Sequence, residues 1–112
     1  MLLQTIGLEK TYTQGGVSYQ ALKGVDLEFE AEKFYAIIGK SGSGKSTLLH
    51  LLGSLDRPTG GQVILNGEDI YKLKDSRLAQ LRRRQIGFIF QSYNLLDEHT
   101  AKDNILAPVL LD

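Results

Sequence analysis

The segment Gly39-Lys-Ser-Gly-Ser-Gly-Lys-Ser-Thr47 determines how the rest of this chain is interpreted. It has a glycine, four variable positions, Gly-Lys and a hydroxyl residue, which is the pattern of a phosphate-binding loop. Glycines let backbone N–H groups approach a phosphate closely, and the helix that follows adds the positive end of its dipole. Lys45 is therefore expected to bind the β- and γ-phosphates of a nucleotide, and the Ser46 hydroxyl is expected to bind Mg²⁺.

Apolar segments on both sides of this loop predict a strand, the loop and then a helix. Residues 34–38 read Phe-Tyr-Ala-Ile-Ile and predict a buried strand, while four leucines between 48 and 52 predict the helix. A flexible Gly/Ser loop is the alternative, but the pattern would arise in only roughly 1% of shuffled chains of this composition. The predicted phosphate-binding residues are Gly39, Lys40, Ser41, Gly42, Ser43, Gly44, Lys45, Ser46 and Thr47.

The composition limits the class of protein. With 112 residues, of which 42% are hydrophobic, the chain is at most one domain of ordinary size. Its 13 basic and 13 acidic side chains cancel, so the global charge gives no reason to expect a nucleic acid or a membrane surface as partner. The absence of cysteine excludes disulfides and cysteine-bound zinc. The longest apolar stretch, residues 105–111, is too short to span a bilayer. We expect a soluble, cytosolic chain.

The first 30 residues predict an antiparallel hairpin. Residues 2–8 form one predicted strand, and residues 11–16 form the turn. Residues 17–29 return, with period-two alternation over 22–29 that is interrupted at Gly24, where we expect a β-bulge.

The middle of the chain predicts a second hairpin and a helix. Residues 62–65 form a short predicted strand, and Asn66-Gly67 is a strong hairpin turn signal. Residues 75–84 have helical spacing, with Leu78 and Leu81 facing inward and Asp75 or Ser76 as the N-cap. Residues 86–90 form a compact apolar strand that ends at Gln91.

Three motifs in this order resemble the ATP-binding subunit of an ABC transporter. They are the phosphate loop, the Asn-Gly turn after Leu-Asp-Arg-Pro-Thr-Gly, and Ile-Gly-Phe-Ile-Phe-Gln-Ser-Tyr-Asn-Leu-Leu at 86–96. More narrowly, the chain resembles the branch that serves lipoprotein export, macrolide efflux and peptide efflux. The resemblance covers residues 2–112 and implies an α/β fold. This would be a P-loop NTPase (RecA-like) core with an N-terminal antiparallel β-subdomain, truncated at the start of the helical subdomain.

The resemblance also implies roles for two further residues. Tyr12, in Leu-Glu-Lys-Thr-Tyr, matches the aromatic residue that stacks on adenine in the family. Gln91 matches the glutamine that contacts Mg²⁺ and the attacking water. The implied ATP-binding set is thus Tyr12 with residues 39–47. Lys45 and Gln91 are the implied catalytic residues, and Ser46 and Gln91 are the implied metal ligands.

The family's other catalytic parts are not found in these residues. There is no Leu-Ser-Gly-Gly-Gln and no run of four apolar residues ending in Asp-Glu; residues 95–98, Leu-Leu-Asp-Glu, have only two apolar residues and are rejected. The resemblance implies that two complete subunits close around two ATP molecules and drive a membrane permease from the inner face of the membrane. We expect these 112 residues alone to bind nucleotide weakly without hydrolysing it.

Two other functions stay open as alternatives. A non-transport ABC protein that acts on nucleic acid or the ribosome would need a coiled-coil or zinc insertion after Gln91, and residues 92–112 contain neither. A small nucleotide kinase would need a substrate lid and acceptor-site arginines. Basic residues between 72 and 84 are interpreted as a solvated helix face, with anionic headgroups as the alternative partner. No aromatic residues interleave with them, which disfavours nucleic acid.

Overall fold

The computed structural model describes residues 2–40 and 42–89, together with Ala101. Two long antiparallel strands, β1 (Leu3–Gln14) and β2 (Val17–Phe29), form a hairpin that is closed at Gly15-Gly16. The turn predicted over residues 11–16 is wrong in its extent. Strand β1 continues to Gln14 because residues 11–14 pair with residues 17–20.

The predicted bulge at Gly24 is confirmed. Leu8 pairs with Val25 and the next residue, Glu9, pairs with Lys23, so Gly24 is an extra residue in β2. Two further register shifts lie between Thr5 and Leu8 and between Lys10 and Thr11. A bulge increases the local twist of a strand, and three irregularities therefore twist the hairpin along its length.

A second hairpin completes the sheet. Strand β3 (Gly60–Leu65) pairs antiparallel with β1, and the two-residue strand β4 (Glu68–Asp69) pairs with β3, which gives the order β2-β1-β3-β4. The turn between β3 and β4 is Asn66-Gly67, as predicted. Both residues have positive φ, 52° and 82°, as a type I′ turn requires. A short 3₁₀ helix over Ile70–Lys72 follows.

Two α-helices lie in the described ranges. Helix α1 (Lys45–Leu52) begins inside the phosphate loop as predicted and ends at Gly53. Helix α2 (Asp75–Gln85) confirms the helix predicted over 75–84, but its N-cap is Lys74 rather than Asp75 or Ser76. Asp75 instead lies in the first turn, where a carboxylate interacts favourably with the helix dipole. Neither helix is long and apolar enough to cross a membrane.

One apolar core joins the sheet to both helices. Leu8, Leu51, Val63 and Ile70 have no accessible surface, and they come from β1, α1, β3 and the 3₁₀ helix. Leu78 and Leu81 of α2 are buried in the same cluster, as the helical spacing predicted. The other buried apolar residues of this core are Leu22, Leu48 and Leu65. The core holds α1, and therefore the phosphate loop, against the sheet.

The strands predicted at 34–38 and 86–90 are wrong for the residues that the structure describes. Residues 33–40 and 86–89 have no strand assignment, and residue 90 lies outside the described ranges. An apolar run forms a buried strand only when neighbouring strands cover it, and no strand of the described sheet pairs with either segment. Apolar side chains in a segment that no strand covers are expected to be exposed, and Phe34, Ile38 and Ile89 are almost fully exposed.

Candidate nucleotide-binding site

The phosphate loop passes directly over strand β2 before it enters α1. Gly44, the N-cap of α1, has a φ of 94°, in the left-handed region that side chains rarely adopt. A Cβ at this position would lie 2.7 Å from the Ala21 carbonyl oxygen of β2. The loop backbone thus approaches the strand more closely than a residue with a side chain would allow.

The Lys45 side chain folds back across the loop that precedes it. Its Nζ donates hydrogen bonds to the carbonyl oxygens of Gly39, at 2.5 Å, and Lys40, at 2.7 Å. Within the loop, the Ser43 N–H donates to the Lys40 carbonyl at 3.1 Å. The ammonium is therefore held by two carbonyls of the loop, in the segment that the sequence predicts to bind phosphate.

The first turn of α1 faces an open cavity. The first intrahelical hydrogen bond runs from the Leu48 N–H to the Gly44 carbonyl at 2.9 Å, so the N–H groups of residues 45–47 lack the partner that a preceding turn would supply. A concave surface with free N–H groups at a helix N-terminus is a site for anions. The cavity has a volume of about 400 Å³ and is lined by Tyr19, Ala21, Gly42, Gly44, Lys45, Ser46 and Thr47.

Tyr12 of β1 lies beside the start of α1. Its hydroxyl is 3.2 Å from the Thr47 hydroxyl, within hydrogen-bonding distance. The Lys10 ammonium lies 5.2 Å from the centre of the Tyr12 ring, in a cation–π contact. Lys10 is itself fixed, since it donates to the Arg57 carbonyl at 2.7 Å and pairs with Asp56 at 3.3 Å. The ring of Tyr12 is thus held near α1 with 40% of the residue exposed.

Tyr19 is a site residue that the sequence analysis missed. It pairs with Tyr12 across the hairpin, and its hydroxyl donates to the Gly42 carbonyl of the loop at 2.7 Å. It also lines the cavity. The sequence predicts only that Tyr19 lies in the returning strand. The register that places it opposite Tyr12 depends on where the turn ends, which the sequence analysis did not predict correctly.

The structure brings together the predicted site residues that it describes. Gly42, Gly44, Lys45, Ser46 and Thr47 line the cavity, Gly39 and Lys40 hold the Lys45 ammonium, and Tyr12 contacts Thr47. Ser43 closes the loop through its N–H. Ser41 and Gln91 lie outside the described residues.

Comparison with known proteins gives consistent results. The model of the ABC transporter family matches residues 22–110. An uncharacterized ABC transporter ATP-binding protein of Thermotoga maritima is 50% identical over 109 residues, which are 97% of this chain and 47% of that protein. The lipoprotein-releasing system ATP-binding protein LolD of Shewanella frigidimarina is 49% identical, over 98% of this chain and 46% of its own length. The macrolide export ATP-binding/permease protein MacB of Brucella abortus is 50% identical over 101 residues, 90% of this chain and 16% of MacB.

A solved structure of a bacterial ABC transporter cassette, MJ0796 in its dimeric form, matches with a TM-score of 0.92 and 39% sequence identity. That match covers 97% of this chain and 47% of the cassette. The chain therefore spans about half the length of the ATP-binding proteins and the cassette that it matches. The matched family, the relatives and the cassette agree, and the chain belongs to the ABC transporter family with the fold of its ATP-binding cassettes.

Proposed function

We propose that this chain forms the nucleotide-binding part of an ABC transporter's ATP-binding subunit and binds MgATP at residues 39–47. The observation that carries this proposal is the Lys45 ammonium, held over the carbonyls of Gly39 and Lys40 at the mouth of an anion-binding helix terminus. The relatives named above are ATP-binding proteins, and an MJ0796 cassette bound to ADP and Pi matches with a TM-score of 0.91.

Lys45 and the backbone of α1 would bind the phosphates. The Lys45 ammonium exchanges its two carbonyl acceptors for oxygens of the β- and γ-phosphates, to which it makes stronger charge-assisted hydrogen bonds. The N–H groups of residues 45–47 would donate hydrogen bonds to the same oxygens, and the positive end of the α1 dipole would attract them. Lys40, at the start of the loop, gives this segment a second positive charge.

Ser46 fits the role of a magnesium ligand. It lines the cavity next to Lys45, and among the described residues there is no cluster of three or more His, Cys, Asp or Glu side chains that would make a protein cage. That donor set suits Mg²⁺, which is commonly held by few protein ligands together with phosphate oxygens and water. Bound there, Mg²⁺ would neutralise phosphate charge. We propose Gln91 as its other ligand, at a position outside the described residues.

Tyr12 would bind the nucleoside. Its ring lies beside Thr47 at the end of the phosphate loop, with a cation against the ring and a substantial part of the residue exposed. An aromatic ring in that position offers a stacking surface to adenine, worth about 1–3 kcal/mol in comparable base–aromatic contacts.

We further propose that the whole subunit acts as an ATPase in a dimer and drives a membrane permease from the cytoplasmic face of the membrane. The names of two relatives support this assignment: one is a lipoprotein-releasing system ATP-binding protein and the other a macrolide export ATP-binding/permease protein. The dimeric form of the MJ0796 cassette supports the dimer.

Binding is tested by a nucleotide series with the 112-residue chain. In titration calorimetry with Mg²⁺ present, affinity is expected to fall in the order ATP, ADP, AMP, because each lost phosphate removes contacts with Lys45 and the α1 N-terminus. Equal affinities for ATP and AMP would show that the loop does not bind the phosphates.

Turnover is tested separately. The 112 residues contain neither the Leu-Ser-Gly-Gly-Gln motif nor an apolar strand ending in Asp-Glu, so phosphate release from MgATP is expected to equal that of a Lys45→Ala variant. Release above that control would contradict the proposal that hydrolysis needs residues beyond these.

A further inference from the structure

We infer that Tyr19 is a positioning residue of the nucleotide site, which fixes the phosphate loop through the Gly42 carbonyl rather than through contact with the nucleoside. This inference rests on the proposed function for the ligand, but its structural part concerns the loop alone. The Tyr19 hydroxyl donates to the Gly42 carbonyl oxygen at 2.7 Å across a separation of 23 residues in sequence. It is a direct tether from the sheet to the loop.

The loop also contacts the backbone of strand β2, at Ala21. Ala21 is the extra residue of β2 at the register shift between Lys10 and Thr11, because Lys10 pairs with Leu22 and Thr11 with Gln20. The Ala21 carbonyl oxygen lies close to the Gly44 backbone, since a Cβ on Gly44 would be only 2.7 Å from it. Strand β2 therefore contacts the loop at Gly42 and at Gly44, on either side of Ser43. The hydrogen bond from Tyr19 adds to close packing between the same strand and the loop.

The tether does not depend on Lys45. The ammonium of Lys45 holds the Gly39 and Lys40 carbonyls, and a phosphate that binds Lys45 competes for those hydrogen bonds. The hydrogen bond from Tyr19 uses a different carbonyl, that of Gly42. It can therefore persist while phosphate is bound and keep the N–H groups of the loop oriented, which reduces the ordering that binding would otherwise require.

The hairpin makes this arrangement possible. Tyr12 and Tyr19 are direct cross-strand partners, so their side chains share one face. The hydroxyl of Tyr12 reaches Thr47, on helix α1, whereas that of Tyr19 reaches Gly42, in the loop before it. The two tyrosines thus contact the loop–helix unit at two points, and we assign them different tasks: Tyr12 to the nucleoside and Tyr19 to the loop.

The test compares Tyr19→Phe, which keeps the ring and removes the hydroxyl, with Tyr35→Phe as the matched control. The Tyr35 hydroxyl also makes one hydrogen bond, from the Glu30 N–H at 2.9 Å, away from the loop. Hydrogen–deuterium exchange without nucleotide should be faster over residues 42–47 in Tyr19→Phe and unchanged there in Tyr35→Phe. Unchanged exchange over residues 42–47 in Tyr19→Phe, in a variant with an unchanged melting temperature, would overturn the inference.

Binding of magnesium tripolyphosphate and MgATP provides the second readout. Because the tether acts on the phosphate loop, Tyr19→Phe should weaken both ligands by the same factor, about two- to fivefold for one hydrogen bond at an exposed site. Tyr12→Ala serves as the comparison and should weaken MgATP alone. If Tyr19→Phe or Tyr19→Ala weakened MgATP but not tripolyphosphate, Tyr19 would be a nucleoside contact and the positioning role would be wrong. If the wild-type chain bound neither ligand, the proposed function would fail, while the exchange measurement would still decide the role of Tyr19.

Discussion

The backbone of Gly44 packs against the Ala21 carbonyl so closely that a Cβ on Gly44 would lie 2.7 Å from that oxygen. This contact joins the beginning of helix α1 to strand β2, which lies at the edge of the four-stranded sheet. The position of the phosphate loop is therefore set by a strand that is distant in sequence, and not only by the loop's own glycines.

Gly44→Ala is expected to weaken MgATP binding by at least about tenfold, since the methyl group adds a clash to the strain of positive φ. Gly67→Ala is the matched control. Gly67 also has positive φ, at 82°, but nothing lies within 4 Å of its Cβ position, in a turn remote from the loop. It should lose some stability and keep its affinity for MgATP. Titration calorimetry on the folded variants separates the two effects, and normal MgATP affinity in Gly44→Ala would refute the close-packing explanation.

Tyr12→Ala is expected to reduce the affinity for MgATP by about 5- to 150-fold, the range for loss of one base–aromatic stack. Tyr12→Phe keeps the ring and should stay within about threefold of wild type, because it loses only the exposed hydrogen bond to Thr47. Fluorescence titration with a labelled ATP measures both. Equal losses in the two variants would mean that the hydroxyl, not the ring, makes the contact.

Leu51→Ala is expected to lower the free energy of unfolding by about 2–5 kcal/mol, because Leu51 has no accessible surface and its truncation leaves a cavity in the core. Leu49→Ala, in the same helix, is the control. Leu49 is 45% exposed, and its truncation should cost less than about 1 kcal/mol. Urea denaturation followed by circular dichroism compares them. Similar losses in the two variants would contradict the assignment of the buried face of α1.

Tyr71 makes the free energy of unfolding depend on pH in the alkaline range. Its hydroxyl donates to the Leu51 carbonyl at 2.6 Å, and burial, with a smaller contribution from the Asp56 carboxylate, raises the pKa of Tyr71 above its ordinary value. The folded chain therefore keeps this proton at a pH where an unfolded tyrosine, with a pKa of about 10, has lost it. The contribution to stability is complete below about pH 10 and is lost as the pH rises further.

Tyr71→Phe removes this titration and the hydrogen bond together. At neutral pH the free energy of unfolding should fall by about 0.5–1.5 kcal/mol, and above about pH 10 the variant should lose stability less steeply than the wild type. Urea unfolding at several pH values between 7 and 11 measures the difference between the two proteins. Parallel pH profiles would show that Tyr71 does not contribute to the alkaline loss.

Local signals in the sequence were sufficient to predict some secondary-structure elements and not others. Asn66-Gly67 specifies its turn through backbone conformation, and Leu78 and Leu81 specify the buried face of α2 through helical spacing, so both predictions are confirmed. The apolar segment 34–38 carries no information about whether another strand covers it, and the predicted strand is absent from the described sheet.

In the candidate site, too, some residues could be predicted from local sequence and others could not. The loop residues and Lys45 were predictable because they are contiguous and their chemistry follows from their order. Tyr19 was not predictable, because its contact with Gly42 depends on the register of the β1–β2 hairpin and on a turn two residues long rather than six. Contacts between segments that are far apart in sequence require the fold.

The most direct measurement of the central claim is a calorimetric titration of MgATP into wild type, Lys45→Ala and Lys33→Ala. Lys33 is an exposed lysine that pairs with Glu30 away from the loop, and it controls for the loss of one positive charge. The wild type and Lys33→Ala are expected to bind MgATP with equal affinity, and Lys45→Ala is expected to show no measurable binding. Equal affinity for MgATP in all three proteins, or none in the wild type, would contradict the assignment of residues 39–47 as a nucleotide site.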